Sequence, residues 1–189
     1  MYGSERASGR NSPGATHLVI LSRRSAAEAL DWTRNVMTRI GLTLNEAKTT
    51  IKQARTERFD FLGYTFGAHR YRKTGGRYLG ASPSKKSVAR LRQRVGDLLT
   101  PGNVDPWPKV CDHLNRILQG WTNYFSYGTT MPAFRAVKHY VEARVRQFLR
   151  RRHKVQSRGT SQFPSRLVFG ALGVLDVSTA RHAAASFVG

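Results

Sequence analysis

Acidic residues are scarce in this 189-residue chain: 11 Asp and Glu stand against 32 Lys and Arg, a net charge of +21. Self-repulsion at such a charge costs stability, and a polyanionic partner is the usual compensation. Nucleic acid fits that role better than an anionic membrane surface. Cysteine is scarcer still. The single Cys111 excludes an internal disulfide framework and a Cys-rich zinc site, and reads as a small buried apolar residue. No apolar run approaches the roughly 20 residues of a membrane span, and the N-terminus lacks the apolar stretch of a signal peptide. A soluble, cytoplasmic protein that does not contact membranes is therefore expected. Apolar residues, by contrast, are plentiful: at 40% they suffice for a core in one domain or two small ones.

Along the chain, residues 1–16 are rich in Gly, Ser and Arg without apolar period and read as a disordered lead-in. His17 to Leu21 (HLVIL) suits a buried strand. Ser25, with Glu28 three residues later, marks a helix start; Ala29, Leu30, Val36, Met37 and Ile40 recur at helical spacing, and Gly41 supplies a stop. TTIKQ at 49–53 and RFDFLGYTF at 58–66 read as extended, the second alternating across Phe59 and Phe61. HRYRK at 69–73 and RYLGA at 77–81, joined by Thr74-Gly75-Gly76, predict a hairpin.

From Pro83 the pattern becomes helical. Val88, Leu91, Val95 and Leu98 share one face of a first helix that Thr100-Pro101-Gly102 ends. A second starts near Pro106 and carries an apolar stripe from Trp107 to Trp121, with Tyr124 and Phe125 read as its continuation into the core. A third starts near Pro132 with Phe134, Val137, Val141, Val145, Phe148 and Leu149. Short Pro/Gly turns between three such helices predict a bundle over 83–156. Residues 157–189 form a tail to which the pattern assigns no element. The fold class is α+β, a small mixed region followed by a three-helix bundle.

The distribution of charge says more than its sum. Between Asp60 and Asp97 there is no acid, against Arg70, Arg72, Lys73, Arg77, Lys85, Lys86, Arg90, Arg92 and Arg94. Between Glu142 and Asp176 there is again none, against Arg144, Arg146, Arg150, Arg151, Arg152, Lys154, Arg158 and Arg166. A solvated helix face normally mixes both signs, because i,i+4 pairs of opposite charge stabilise it. These stretches forgo that support, so a track for phosphates is expected on them, with counterion release supplying much of the affinity. Tyr71 and Tyr78, among the hairpin's basic residues, either stack on bases or are half-buried strand residues.

Catalysis is not apparent from the residues. The acids are scattered; Glu28 and Asp31, three apart between Arg24 and Arg34, read as structural pairing partners. The six histidines (17, 69, 113, 139, 153 and 182) lack the i,i+4 spacing of a helical metal site. No catalytic or metal-binding residue is assigned.

Several strings taken together resemble a known family. GLTLNEAKT at 41–49, FDFLGYTF at 59–66, LNRILQGWTNYFSYG at 114–128 and VRQFLRRRHK at 145–154, followed by Arg158-Gly159, resemble in order the C-terminal half of group II intron reverse transcriptases. The resemblance implies that residues 17–82 are a polymerase palm remnant with the primer-grip hairpin, and 83–156 the helical thumb, or maturase (X) domain. Lys48 would lie near an incoming nucleotide, and Phe61, Leu62, Gly63 and Tyr64 would form the primer grip. The family's activity is RNA-directed DNA synthesis using Mg2+, together with assistance to RNA splicing. Its implied partners are group II intron RNA and an RNA–DNA template–primer duplex.

The sequence departs from the family at one decisive place. Where a YADD motif is expected, before LVIL, it reads Gly14-Ala15-Thr16-His17. With both metal-binding aspartates missing, no cofactor is expected in this chain, and alone it is expected to bind RNA without polymerising DNA. The alternatives are a C-terminal piece of a split reverse transcriptase, active with an upstream chain, or a non-functional relic.

Overall fold

The computed structural model describes residues 18–23, 25–71 and 74–179. They divide into two compact units between Ile51 and Lys52. The expected disordered lead-in, with Gly14-Ala15-Thr16-His17, lies outside the described residues, as do Arg24, Arg72, Lys73 and His182.

The N-terminal unit is built on α1 (Ala26–Arg39). The Ser25 hydroxyl caps it by accepting the Glu28 amide at 3.2 Å, and Gly41, at φ +74°, lies just past its end. Ala29, Leu30, Val36 and Met37 are half-buried, and the Thr33 hydroxyl between them bonds back to Ala29 O at 2.6 Å. Arg34 pairs with Asp31 at 2.7 Å and forks onto Glu46 through two bonds of 2.9 Å. Asp31 is thus a structural partner, as its spacing suggests. The buried strand expected at 17–21 is absent over its described residues, 18–21. Leu18–Leu21 takes no ladder and is exposed, Leu21 to 69%, because no described strand pairs with it. Residues 49–53 are also without a ladder.

The second unit opens with an antiparallel sheet in the order β1-β2-β3, formed by β1 (Phe59–Phe61), β2 (Tyr64–Arg70) and β3 (Arg77–Pro83). Residues 58–66 are therefore not one strand. The chain reverses at Leu62-Gly63, where φ values of +46° and +79° make a two-residue turn whose twist matches its flanking strands. The β2–β3 hairpin is longer than the sequence suggests, running from Tyr64↔Pro83 to Arg70↔Arg77.

Three helices follow, α2 (Lys85–Leu98), α3 (Trp107–Tyr124) and α4 (Met131–Arg152). Ser84 caps α2, its hydroxyl accepting the Ser87 amide. Leu91 and Val95 of α2, Val110, Leu114 and Leu118 of α3, and Phe134, Val137, Val141 and Val145 of α4 are buried in one core. Each such side chain stabilises the fold by roughly 1.5–3 kcal/mol.

The C-terminal stretch, for which the pattern gives no element, packs onto this bundle. It carries α5 (Ser165–Phe169), and Val168, Val174 and Val177 enter the core. Asn115 of α3 fixes its course like a strand partner, donating to Gly173 O and accepting from Leu175 N at 2.8 Å each. Trp107 Nε1 donates to Leu172 O, and Lys138 pairs with Asp176 at 2.6 Å.

Candidate nucleic-acid interface

The N-terminus of α2 carries Lys85 and Lys86 and no acid in its first turn. Cations there oppose the helix dipole, a local cost of roughly 0.3–1 kcal/mol that a bound anion would reverse. Arg90 and Arg94 stand one turn apart farther along, both exposed and without a hydrogen bond or ion pair. Across from them Arg116 and His113 rise from α3, and together these side chains rim an open groove of about 540 Å³. Its floor is apolar and aromatic: Leu91, Ile117, Trp121 and Phe125. The arrangement pairs phosphate-seeking guanidinium groups with ring faces, the two components of a single-strand-tolerant nucleic-acid surface.

Phe125 is core, but Tyr124 corrects the expectation of burial. It is 54% exposed, because its hydroxyl leaves the bundle to donate to Leu62 O at 2.7 Å. Trp121 is half-buried, with its ring centroid 5.0 Å from those of Phe125 and Phe134 and its plane tilted 46° from each.

The Phe61–Tyr64 turn is seated on the bundle. Tyr64 donates to Tyr124 O at 2.9 Å while Tyr124 donates to Leu62 O, and Gly63 O accepts the Ser84 amide and the Ser87 hydroxyl. A Cβ at Gly63 would stand 2.9 Å from Ser87 Oγ, so the close seat requires glycine as well as the positive φ does. Burial raises the Tyr64 hydroxyl above its ordinary pKa. Leu62 is held at the tip, 64% exposed. Lys48 lies exposed in a single 3-10 turn, Glu46–Lys48, of the N-terminal unit.

The hairpin tyrosines separate. Tyr71 is exposed beside Tyr78, with centroids 4.4 Å apart, whereas the half-buried Tyr78 bonds Thr129 through its hydroxyl at 2.6 Å. Arg70 and Arg77 are exposed and directly opposite each other at the turn end of the β2–β3 hairpin.

On α4 the arginines differ from the solvated track that the sequence suggests. Arg144 is half-buried and donates to Gln147 and to Gly96 O and Leu99 O at the end of α2. Arg146 donates to Phe163 O and pairs with Glu142, so this face does use an i,i+4 ion pair. Arg152 holds Val104 O and Asp105 O at 2.8 and 2.6 Å and lies over the Phe148 ring. Carbonyls left open at helix ends and in loops consume these guanidinium groups. Arg150 is half-buried, with a 3.5 Å contact to Ser157 O. Arg151, Lys154 and Arg158 are exposed and carry no such bond.

Arg116 and His113 escape a search for acid-free runs because Asp112 is their near neighbour in sequence; only the helix pairing sets them opposite Arg90 and Arg94. Among the described residues no three His, Cys, Asp or Glu side chains gather as a metal-binding group, and no helix is long and apolar enough to cross a membrane.

No curated protein matches the chain. Residues 88–163, which take in most of α2, all of α3 and α4 and the start of the C-terminal stretch, match the family model of the group II intron, maturase-specific domain. The groove between α2 and α3 lies almost wholly within that match. The helical part of this chain is thus similar to the maturase-specific domain, and the match supports a group II intron maturase C-terminal region.

Proposed function

We propose that this chain binds folded group II intron RNA through the α2–α3 groove and its cationic margin, and that it assists splicing by holding that RNA. The observation that carries the reading is the groove, where unpaired Arg90 and Arg94 face Arg116 over an aromatic floor inside the maturase-matched segment. Lys85, Lys86, Arg90, Arg94 and Arg116 would take phosphates, which position an RNA without reading its sequence. Trp121 and the exposed Tyr124 offer ring faces to an unstacked base. Specificity for the intron would then come from RNA shape. The test is a filter-binding titration of the purified chain on intron RNA and on a random duplex, over a series of salt concentrations. Tighter binding to intron RNA, with log K falling linearly against log salt, is expected. Equal affinity for both RNAs would overturn the maturase reading and leave a general duplex binder. Splicing of the adjacent intron with and without the chain tests the second half.

A second reading is favoured by the exposed run Leu18–Leu21 and by the seating of the Phe61–Tyr64 turn on the bundle. Both suit a reverse transcriptase palm and primer grip completed by a separate chain, on a template–primer duplex. Gly14-Ala15-Thr16-His17 offers no carboxylate where that family holds Mg2+, so the residues present do not fit the metal. The aspartates would have to come from the other chain. Primer extension with the two chains mixed tests this; no extension would leave RNA binding as the function.

A further inference from the structure

Four arginines outside the maturase-matched segment converge on one cleft. Arg55 and Arg58, from the loop before β1, and Arg70 and Arg77, from the turn end of the β2–β3 hairpin, line a space of about 330 Å³ with Thr56 and Ala68. Among the described residues no carboxylate pairs with them. Of the two acids nearest in sequence, Glu57 accepts the Gln53 amide at 2.8 Å and Asp60 accepts the Thr65 hydroxyl at 2.5 Å; neither pairs with a guanidinium. Like charges directly opposite in a ladder destabilise it, yet Arg70 and Arg77 are such a pair.

Local bonds and a close approach set the course of the chain that carries Arg55 and Arg58. The 53–57 turn closes on itself, with the Glu57 amide on Gln53 O and the Glu57 carboxylate on the Gln53 amide. Gly67 lets the Arg58 stem lie flat against β2; a Cβ there would stand 2.6 Å from Arg58 Cγ. Burial first, and then the nearby Arg58 charge, hold His69 below its ordinary pKa.

From this geometry we propose that the Arg55/Arg58/Arg70/Arg77 cleft grips the phosphodiester backbone of the RNA, a second foothold separate from the α2–α3 groove. Guanidinium forks suit phosphate oxygens, and the absence of a stacking ring in the lining makes the grip sequence-independent. The proposal rests on the RNA-binding reading above.

The test uses the full chain in three forms: wild type, a fourfold R55A/R58A/R70A/R77A variant, and the fourfold Arg→Lys variant. Each is titrated with structured RNA at several salt concentrations, with thermal melting as the folding control. The alanine variant is expected to bind at least tenfold more weakly, with a salt slope flattened by about 0.7–0.9 for each phosphate that is no longer neutralised. The lysine variant is expected to keep the slope and lose part of the affinity, because charge survives without the fork. If the alanine variant does not melt cooperatively, single R70Q and R77Q variants at the exposed strand ends carry the test, each flattening the slope by the increment of one phosphate.

Unchanged affinity and slope in the cleft variants, while R90A/R94A still weakens binding, would overturn this proposal and leave the RNA reading intact. So would inorganic phosphate bound by the wild type alone with RNA affinity equal in all forms, since the cleft would then serve a small phosphorylated ligand. A wild type without salt-sensitive RNA binding would remove both readings together.

Discussion

Arg90 and Arg94 on α2 stand in solvent with nothing to hold, whereas Arg144, Arg146 and Arg152 on α4 each hold main-chain oxygens of their own protein. Both sets come from acid-free runs of similar length. What separates them is whether open carbonyls lie within reach of a long side chain. Arg90 and Arg94 bond to none, while α4 passes the end of α2, the α2–α3 loop and the chain around Phe163. A cation with a carbonyl to satisfy is part of the scaffold; one without is available to a ligand. Arginine content alone marks neither role.

The strongest way to break the comparison is Arg146→Ala. It leaves the half-buried Glu142 without its cation and frees Phe163 O, so a loss of about 3 kcal/mol is expected, toward the low end for breaking a buried pair. That corresponds to a fall of roughly 6–12 °C in melting temperature. RNA affinity measured below the new melting point should change little; a large affinity loss in a still-folded variant would place Arg146 on the RNA face.

Arg90→Ala with Arg94→Ala is the converse. The melting temperature should hold, while RNA affinity falls about tenfold and the salt slope flattens by about 0.7–0.9 per phosphate released. An unaltered slope would take α2 off the interface.

Acid titration sharpens the scaffold side. Burial pushes Glu142 and Asp176 up, but the Ser165 hydroxyl and Arg146 at one, and Lys138 and Ser178 at the other, outweigh it and leave both carboxyls below their ordinary values. Their contribution to stability is present above the ordinary carboxylate range, about pH 4, and is lost as pH falls through the lower folded values. Proteolysis or hydrogen exchange should show residues 165–177 loosening there before the α3–α4 core. Simultaneous loss of both would show the segment to be integral to the bundle.

The smallest effect is expected at Lys154, which closes α4 in the left-handed region at φ +53°, with Val155 N on Arg150 O and its own amide on Arg151 O. Lys154→Gly should stabilise the protein by about 1 kcal/mol, since glycine lacks the Cβ that opposes this conformation. The same change should weaken RNA binding slightly if the exposed ammonium meets a phosphate. Stability and affinity would then move in opposite directions at one residue.

The helices are largely legible because their signals are local. Ser25 stands where a cap forms, and Phe134, Val137, Val141 and Val145 repeat at the interval that makes one face. The turn at Leu62-Gly63 is not legible from the residues alone, since a leucine at positive φ violates turn chemistry; the likeness of FLGY to a primer-grip hairpin does imply it. The C-terminal stretch escapes the pattern because Val168, Val174 and Val177 follow no period, and their burial depends on Asn115 more than fifty residues earlier. Leu18–Leu21 misleads in the opposite way, because composition can mark a strand but cannot supply its neighbour.

By itself, the sequence determined that this protein is strongly cationic, that its second half forms three amphipathic helices, and that no YADD carboxylates precede LVIL. Those properties depend on residue identity and on intervals of a few residues. Only the tertiary structure decided which cations are free. It set Arg90 and Arg94 opposite Arg116, turned Arg144, Arg146 and Arg152 inward, and gathered Arg55, Arg58, Arg70 and Arg77 around one cleft. The reason is that a guanidinium's role is fixed by the acceptors within its reach, and these come from parts of the chain that only folding brings near.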